Sequence, residues 1–352
     1  MDREFPVGSQ PEGRIAAITR RGFVAALGGA GGLALAGATA PALARAAKFR
    51  LRYGTAFPAN HPGVTRIQQA AVAIAKETGG LVALQIYPNS QLGSEPDMFT
   101  QTRSGALDFM STSGVNQTVV PAGSINAVAF AFEDYKHVWA AMDGGLGDHV
   151  RGLFGKVGLH VLPKMLDNGY RNITSSARPI HGPADLKGFK IRVPGNPLWV
   201  TMFSDLGAAP TPVDFGELYA ALQTHLVDGE ENPLALIESA KLYEVQKYVA
   251  MTGHIWDGHY IFANQRRWKS LPADARAVIT RHLDAAALQE RADIVALNDG
   301  LVGTLTKAGL RFNTPAKPPF RDGLRAAGFY RHWQKKFGTE AWTLLEKYTG
   351  PL

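Results

Sequence analysis

The chain contains no cysteine, which excludes disulfides, thiolate zinc sites, iron–sulfur clusters and cysteine nucleophiles together. It has no basic run and no arginine-rich helix. Its net charge of +7, from 37 basic and 30 acidic residues among 352, therefore leaves no nucleic-acid footprint. A mild positive excess suits an anionic small ligand better. Beyond residue 46 no stretch approaches the roughly 20 apolar residues that span a bilayer. The same region lacks a G-x-S-x-G elbow, an H-E-x-x-H helix and a glycine phosphate loop, so no motif supports an exported hydrolase or lyase. What is present is an ordinary globular balance of 45% hydrophobic and 19% charged residues. The length suggests two domains.

The N-terminus reads as an address. Thr19-Arg20-Arg21-Gly22-Phe23-Val24 precedes a weakly apolar Ala/Gly/Leu run over 25–44, and Ala44-Arg45-Ala46 follows. Basic flank, apolar centre and small-residue exit make a secretory signal over 1–46. The paired arginines with Phe23 resemble a twin-arginine signal, and cleavage is expected after Ala46. Removing five basic and three acidic residues leaves 32 and 27, a net charge of +5.

Strands and helices then alternate, which predicts an α/β fold. Strands are expected at 48–54, 81–87, 107–110, 158–162, 189–193, 248–252 and 259–263. A helix is expected over 63–78, ended by Gly79-Gly80. Ser94 with Asp97 forms a capping box for another helix running to Ser104. Asp214 and Glu217 open a helix with Phe215, Leu218, Leu222 and Leu226 on one face. Residues 272–307 form one helix of about 54 Å, too long for one small domain and expected to kink at Asn298-Asp299-Gly300.

In the strand Phe189-Lys190-Ile191-Arg192-Val193, the apolar residues share one face and Lys190 and Arg192 the other. Pro194-Gly195 end the strand, so Arg192 sits near its carboxyl end, where open α/β sheets bind ligands. An arginine there can hold a carboxylate with two parallel hydrogen bonds; a structural or solvated arginine also fits the pattern. Arg171 precedes a short β-like run, Asn172-Ile173-Thr174. Asn232, in Asp228-Gly229-Glu230-Glu231-Asn232-Pro233, reads on its own as a turn residue before proline.

The segments Asp185-Leu186-Lys187-Gly188-Phe189-Lys190-Ile191-Arg192-Val193-Pro194, Leu206-Gly207-Ala208-Ala209-Pro210-Thr211-Pro212, Glu217-Leu218-Tyr219-Ala220-Ala221-Leu222-Gln223 and Val227-Asp228-Gly229-Glu230-Glu231-Asn232-Pro233 follow in order. Together they resemble the solute-binding subunits of tripartite ATP-independent periplasmic (TRAP) transporters, over nearly all of 48–350. The resemblance implies a two-lobe periplasmic-binding-protein fold, with a ligand cleft between the lobes and a long helix spanning both. Lobe I is expected at 47–168 plus 258–297, and lobe II at 169–257 plus 298–352. It implies a periplasmic, non-enzymatic protein that binds an organic acid and delivers it to a TRAP permease. It further implies that Arg192 pairs with the ligand carboxylate beside Arg171, that Asn232 donates to the ligand, and that Phe215 packs on it. Thr112 and Ser113 are placed to meet a polar ligand atom, with turn filling as the alternative. Trp256 and Asp257 are placed to shape the distal pocket, Asp257 accepting hydroxyl hydrogens; for Trp256 ordinary lobe packing is the alternative. No cofactor and no metal are expected: His254 and His259 share no helix, and no carboxylate pair completes a site. A monomer is expected. The same cleft would also serve a ligand sensor.

Overall fold

In a computed structural model of the chain, residues 47–113 and 119–352 are described; the leader expected at 1–46 lies outside them. The first third builds β1 (Phe49–Thr55), α1 (Pro62–Glu77), β2 (Val82–Tyr87), α2 (Glu95–Ser104) and β3 (Phe109–Thr112). His61 caps α1, its Nδ1 accepting from the Gly63 N–H at 3.1 Å. Ser94 and Asp97 form the expected reciprocal capping box of α2. Then follow α3 (Tyr135–Met142), α4 (Gly145–Lys156), β4 (Leu159–Val161) and β5 (Leu166–Ser175). The middle of the chain contains β6 (Lys190–Val193), α5 (Pro197–Asp205), β7 (Ala209–Pro212), α6 (Leu218–Gln223), β8 (Gly229–Asn232) and α7 (Leu234–Ser239). The last third is β9 (Tyr248–Asn264), α8 (Gln265–Ser270), α9 (Ala273–Lys307), β10 (Arg311–Asn313), α10 (Pro318–Ala327), α11 (Phe329–Phe337) and α12 (Thr339–Thr349).

The strands order as β2-β1-β3-β9-β5-β8-β6-β7, with β4 and β10 pairing β9 off that path. The 17 residues of β9 run through both halves: Tyr260–Ala263 pair antiparallel with β3, while Tyr248–His259 pair antiparallel with β5. The two strands expected at 248–252 and 259–263 are therefore one. Strand β5 bulges between Asp167 and Gly169 and again between Arg171 and Ile173, a distortion that re-aims side chains next to a site.

Helix α9 is the other link. Ala275, Ile279, Leu283, Ala286 and Ala287 bury against α1, β1 and β2, whereas Ile294, Leu301 and Leu305 bury against α6 and α7. Each buried leucine or isoleucine among them contributes about 1.5–3 kcal/mol by leaving water, so one helix is fixed to both halves. It runs unbroken through Asn298-Asp299-Gly300; the expected kink is absent because Leu301 and Leu305 keep the buried stripe in phase. Helix α6 stops at Gln223 after a 3₁₀ turn over Phe215–Glu217, and Leu226 is exposed rather than part of its buried face. In the C-terminal stretch α10 packs on α5, and α12 packs on α3 and α4. Among the described residues, no helix is long and apolar enough to cross a membrane.

Candidate functional site

Arg192 is the last residue but one of β6, two before Pro194 and four before Asn196, the N-cap of α5. Its side chain turns inward and is 2% exposed. Nε donates to the Val213 carbonyl at 2.8 Å, and the Phe215 ring lies 6.0 Å from the guanidinium carbon. Nη1 and Nη2 have no hydrogen-bond partner among the described residues. Burial, together with the neighbouring Arg171 charge, pushes Arg192 down to about 10. A buried cation without a carboxylate is costly, and it faces a cavity with about 390 Å³ of empty space, part of it open to solvent.

Three parts of the fold wall that cavity. Phe57, Glu95 and Ser113 come from the ends of β1 and β3 and the start of α2. Arg192, Pro194, Phe215 and Asn232 come from the ends of β6 and β8 and the turn before α6. Asn168, Arg171, Asp257 and His259 come from the crossing strands β5 and β9. It thus opens beyond strand carboxyl ends, where the halves of the sheet meet.

Arg171 is held differently from Arg192. Its Nε donates to Glu231 Oε2 at 2.6 Å, Nη1 to Asp257 Oδ2 at 2.7 Å, and Nη2 to Glu231 Oε1 at 2.8 Å and Asn232 Oδ1 at 2.9 Å. Only the second Nη1 hydrogen lacks a protein acceptor. Burial alone would lower Arg171, but Glu231 and Asp257 hold it above its usual value. The Glu231 carboxyl is held below its usual range by Arg171 and by His254, whose Nε2 lies 3.0 Å away. Glu230, equally buried, accepts from Thr174 at 2.7 Å and from the Asn232 amide, and burial pushes it up to about 7. Asn232 thus retains one amide hydrogen, and its place is the last residue of β8, paired with Asn172, rather than a free turn.

The expected site residues do not all converge. Arg192, Arg171, Asn232, Phe215, Asp257 and Ser113 line the cavity. Thr112 does not: its hydroxyl donates to Glu95 Oε1 at 2.6 Å. Trp256 is a correction. Its ring stands edge-on to Trp139 at 5.1 Å and to Phe132 at 6.4 Å, and Nε1 donates to Asp167 at 2.9 Å. Successive residues of a strand point to opposite faces, so Trp256 and Asp257 cannot both enter one cleft, and Trp256 is core. Other lining residues lay outside the sequence reading, among them Phe57, Glu95, Asn168 and, as a cleft rather than metal residue, His259. Glu95 was absorbed into the acidic first turn of α2. Phe57 is sandwiched between His61 and His259, at ring distances of 4.1 and 4.2 Å. Burial lowers both histidines, His61 to about 3, so both rings are neutral. Among the described residues no three His, Asp or Glu side chains are grouped to hold a metal ion.

A strand-end arginine facing a mixed polar and apolar cleft between two sheet halves is the arrangement of a periplasmic-binding-protein type of solute receptor. The chain belongs to the bacterial extracellular solute-binding protein family 7 (DctP), whose model matches residues 53–331. It is 37% identical over 281 residues to the uncharacterized protein y4mM of Sinorhizobium fredii, covering 78% of this chain but only half of that relative's length. A TRAP periplasmic solute-binding protein from Roseobacter denitrificans, solved with bound L-galactonate, superposes with a TM-score of 0.80 at 28% identity. It covers 86% of this chain and 99% of its own. One from Xanthobacter autotrophicus, with bound β-D-galacturonate, gives 0.81 at 29% identity, covering 86% and all of the two chains. The two-lobe α/β architecture and the periplasmic solute-binding class are thereby established.

Proposed function

We propose that this protein captures an organic acid in the periplasm, without turning it over, and hands it to the membrane subunits of a TRAP permease. The observation that carries this reading is Arg192: a buried guanidinium whose two terminal nitrogens face the cavity without a protein carboxylate. A ligand carboxylate would supply the missing anion through two parallel charge-assisted hydrogen bonds. The remaining Nη1 hydrogen of Arg171 and the remaining amide hydrogen of Asn232 support the same carboxylate, and Phe215 covers it. Solved relatives that bind galactonate and galacturonate, both carboxylates, support the acid class. Export by the twin-arginine route is part of the same reading and rests on Arg20-Arg21.

Thermal unfolding of the purified protein against a panel of organic acids and their neutral amides tests it. At 100 times its dissociation constant, a bound acid stabilises the fold by ~2.7 kcal/mol. The expected result is a shift with an acid, absent with its amide, and an acid recovered chemically unchanged. No shift with any acid, with no acid released on denaturation, overturns the assignment. Conversion of the bound acid overturns the non-enzymatic reading.

A further inference from the structure

Part of the cavity wall, from the start of α2 and from the crossing strands β5 and β9, carries hydrogen-bond acceptors without a donor among the described residues. Asp257 Oδ2 accepts from Arg171 and from Asn168 Nδ2 at 2.8 Å, but Asp257 Oδ1 makes no hydrogen bond and is buried. Asn168 spends its amide hydrogen on Asp257, which fixes the amide's orientation and leaves Asn168 Oδ1 buried and unpartnered too. Glu95 takes the Thr112 hydroxyl on Oε1, and no partner for Oε2 is seen among the described residues. Among the same residues His259 has no hydrogen-bond partner, Nδ1 being fully buried. All four residues line the same cavity. Asp257 stays ionised: burial would raise it, but the Arg171 charge, with hydrogen bonds from Ser113 and Asn168, holds it below its usual value.

Buried acceptors without donors cost free energy, and the oxygens Asn168 Oδ1 and Asp257 Oδ1 are two of them in one cavity. Apart from the Ser113 hydroxyl beside Asp257, the donors still open in the cavity, on Arg192, Arg171 and Asn232, are those assigned to the ligand carboxylate, so the hydrogens for these acceptors come from the rest of what the cavity holds. An unsubstituted aliphatic acid would bury these oxygens unpaired. An aromatic acid without hydroxyls would do the same.

Resting on the carboxylate clamp above, we propose that Glu95, Asn168, Asp257 and His259 form a hydroxyl-reading subsite, so that the acid taken is polyhydroxylated, of the sugar-acid class. Its carboxylate sits at Arg192, and its chain hydroxyls donate to Asn168 Oδ1, Asp257 Oδ1 and Glu95 Oε2. His259, stacked on Phe57, meets a further hydroxyl.

Calorimetric titration of the purified protein with a panel of epimeric hexonates, hexanoate, adipate and 6-aminohexanoate tests this. At least one hexonate should bind 100-fold or more tighter than hexanoate, since two hydroxyl hydrogen bonds at about tenfold each suffice. Asn168→Leu should lower that hexonate's affinity tenfold or more while leaving hexanoate's weak binding within twofold. Glu95→Gln, which keeps the acceptor, is the milder second variant should Asn168→Leu fail to fold; it should cost less than Glu95→Leu. Hexanoate or adipate binding as tightly as every hexonate would overturn the subsite while leaving the clamp intact. Tighter binding of 6-aminohexanoate than of any hexonate would also overturn it, because the acceptors would then be reading a cation. Failure of every acid, amine-bearing or not, would instead reject the clamp.

Discussion

Arg192 makes opposite demands on binding and on folding, and replacing it with methionine separates them. In the free protein the guanidinium is buried, lies near Arg171 and has one carbonyl, Val213, as its hydrogen-bond partner. A fall from 12.5 to about 10 corresponds to ~3 kcal/mol against the charged form. Methionine, unbranched and of similar reach, removes that cost, and it gives up about 1 kcal/mol for the Val213 bond. Arg192→Met should therefore stabilise the ligand-free protein by roughly 2 kcal/mol, a rise of a few degrees in Tm. The same variant deprives a bound carboxylate of its fork, costing ~2–5 kcal/mol of binding, or roughly 30-fold to several thousandfold in Kd. Arg192→Lys should lose part of this, because an ammonium cannot form two parallel bonds. Differential scanning calorimetry with and without the best acid reads both quantities. A variant that binds at wild-type affinity, or one whose ligand-free Tm falls as after a core deletion, refutes the reasoning.

Arg171→Ala should behave in the opposite manner, losing ~3–5 kcal/mol of stability because Glu231 and Asp257 are stranded without their cation; urea unfolding of the ligand-free protein measures it. Asp167 is pushed up to about 7 by burial, so the unfolded chain releases that proton first. Folded-state stability from this group falls as pH climbs from about 4 to 7. Asp167→Asn should accordingly gain up to ~4 kcal/mol over wild type at pH 8 and nothing at pH 4, read from urea midpoints at both. Gly229→Ala would place a Cβ 2.1 Å from the Thr174 carbonyl oxygen and 2.6 Å from Phe189 Cζ. It should open the β5–β8 pairing, lowering Tm and, by displacing Asn232, acid affinity as well.

Local chemistry made the helix starts readable. Ser94 with Asp97 needs no partner from elsewhere in the chain, and the capping box is where the sequence places it. The strand carrying Arg192 was equally legible, since Ile191 and Val193 alternate with it on opposite faces. Strand β8 was not. Gly229-Glu230-Glu231-Asn232 has no apolar residue, yet all four are buried, because Arg171, Thr174 and His254 arrive from β5 and β9 to satisfy the two glutamates. Strand β9 was broken in two by its glycines for a related reason. A side chain at Gly258 would meet Trp256 Cη2 at 2.2 Å, so the residue that interrupts the β pattern is the one that lets the strand pass. Among the site residues, Glu95 had a sufficient local role at a helix N-terminus, and Asn168 carried no local signal at all. Its placement comes from the bulge in β5, which pairing with β9 creates.

Strand β9 has a thermodynamic corollary. A chain joined through flexible tethers can melt one module at a time, each with its own midpoint. Here the same 17 residues supply ladder partners to β3 and β4 on one side and to β5 on the other, and β5 lies against α9 as well. Melting either half strips hydrogen bonds from the backbone of the other. The described region should therefore unfold as one cooperative unit with a single calorimetric peak, and neither half, expressed by itself, should hold its shape.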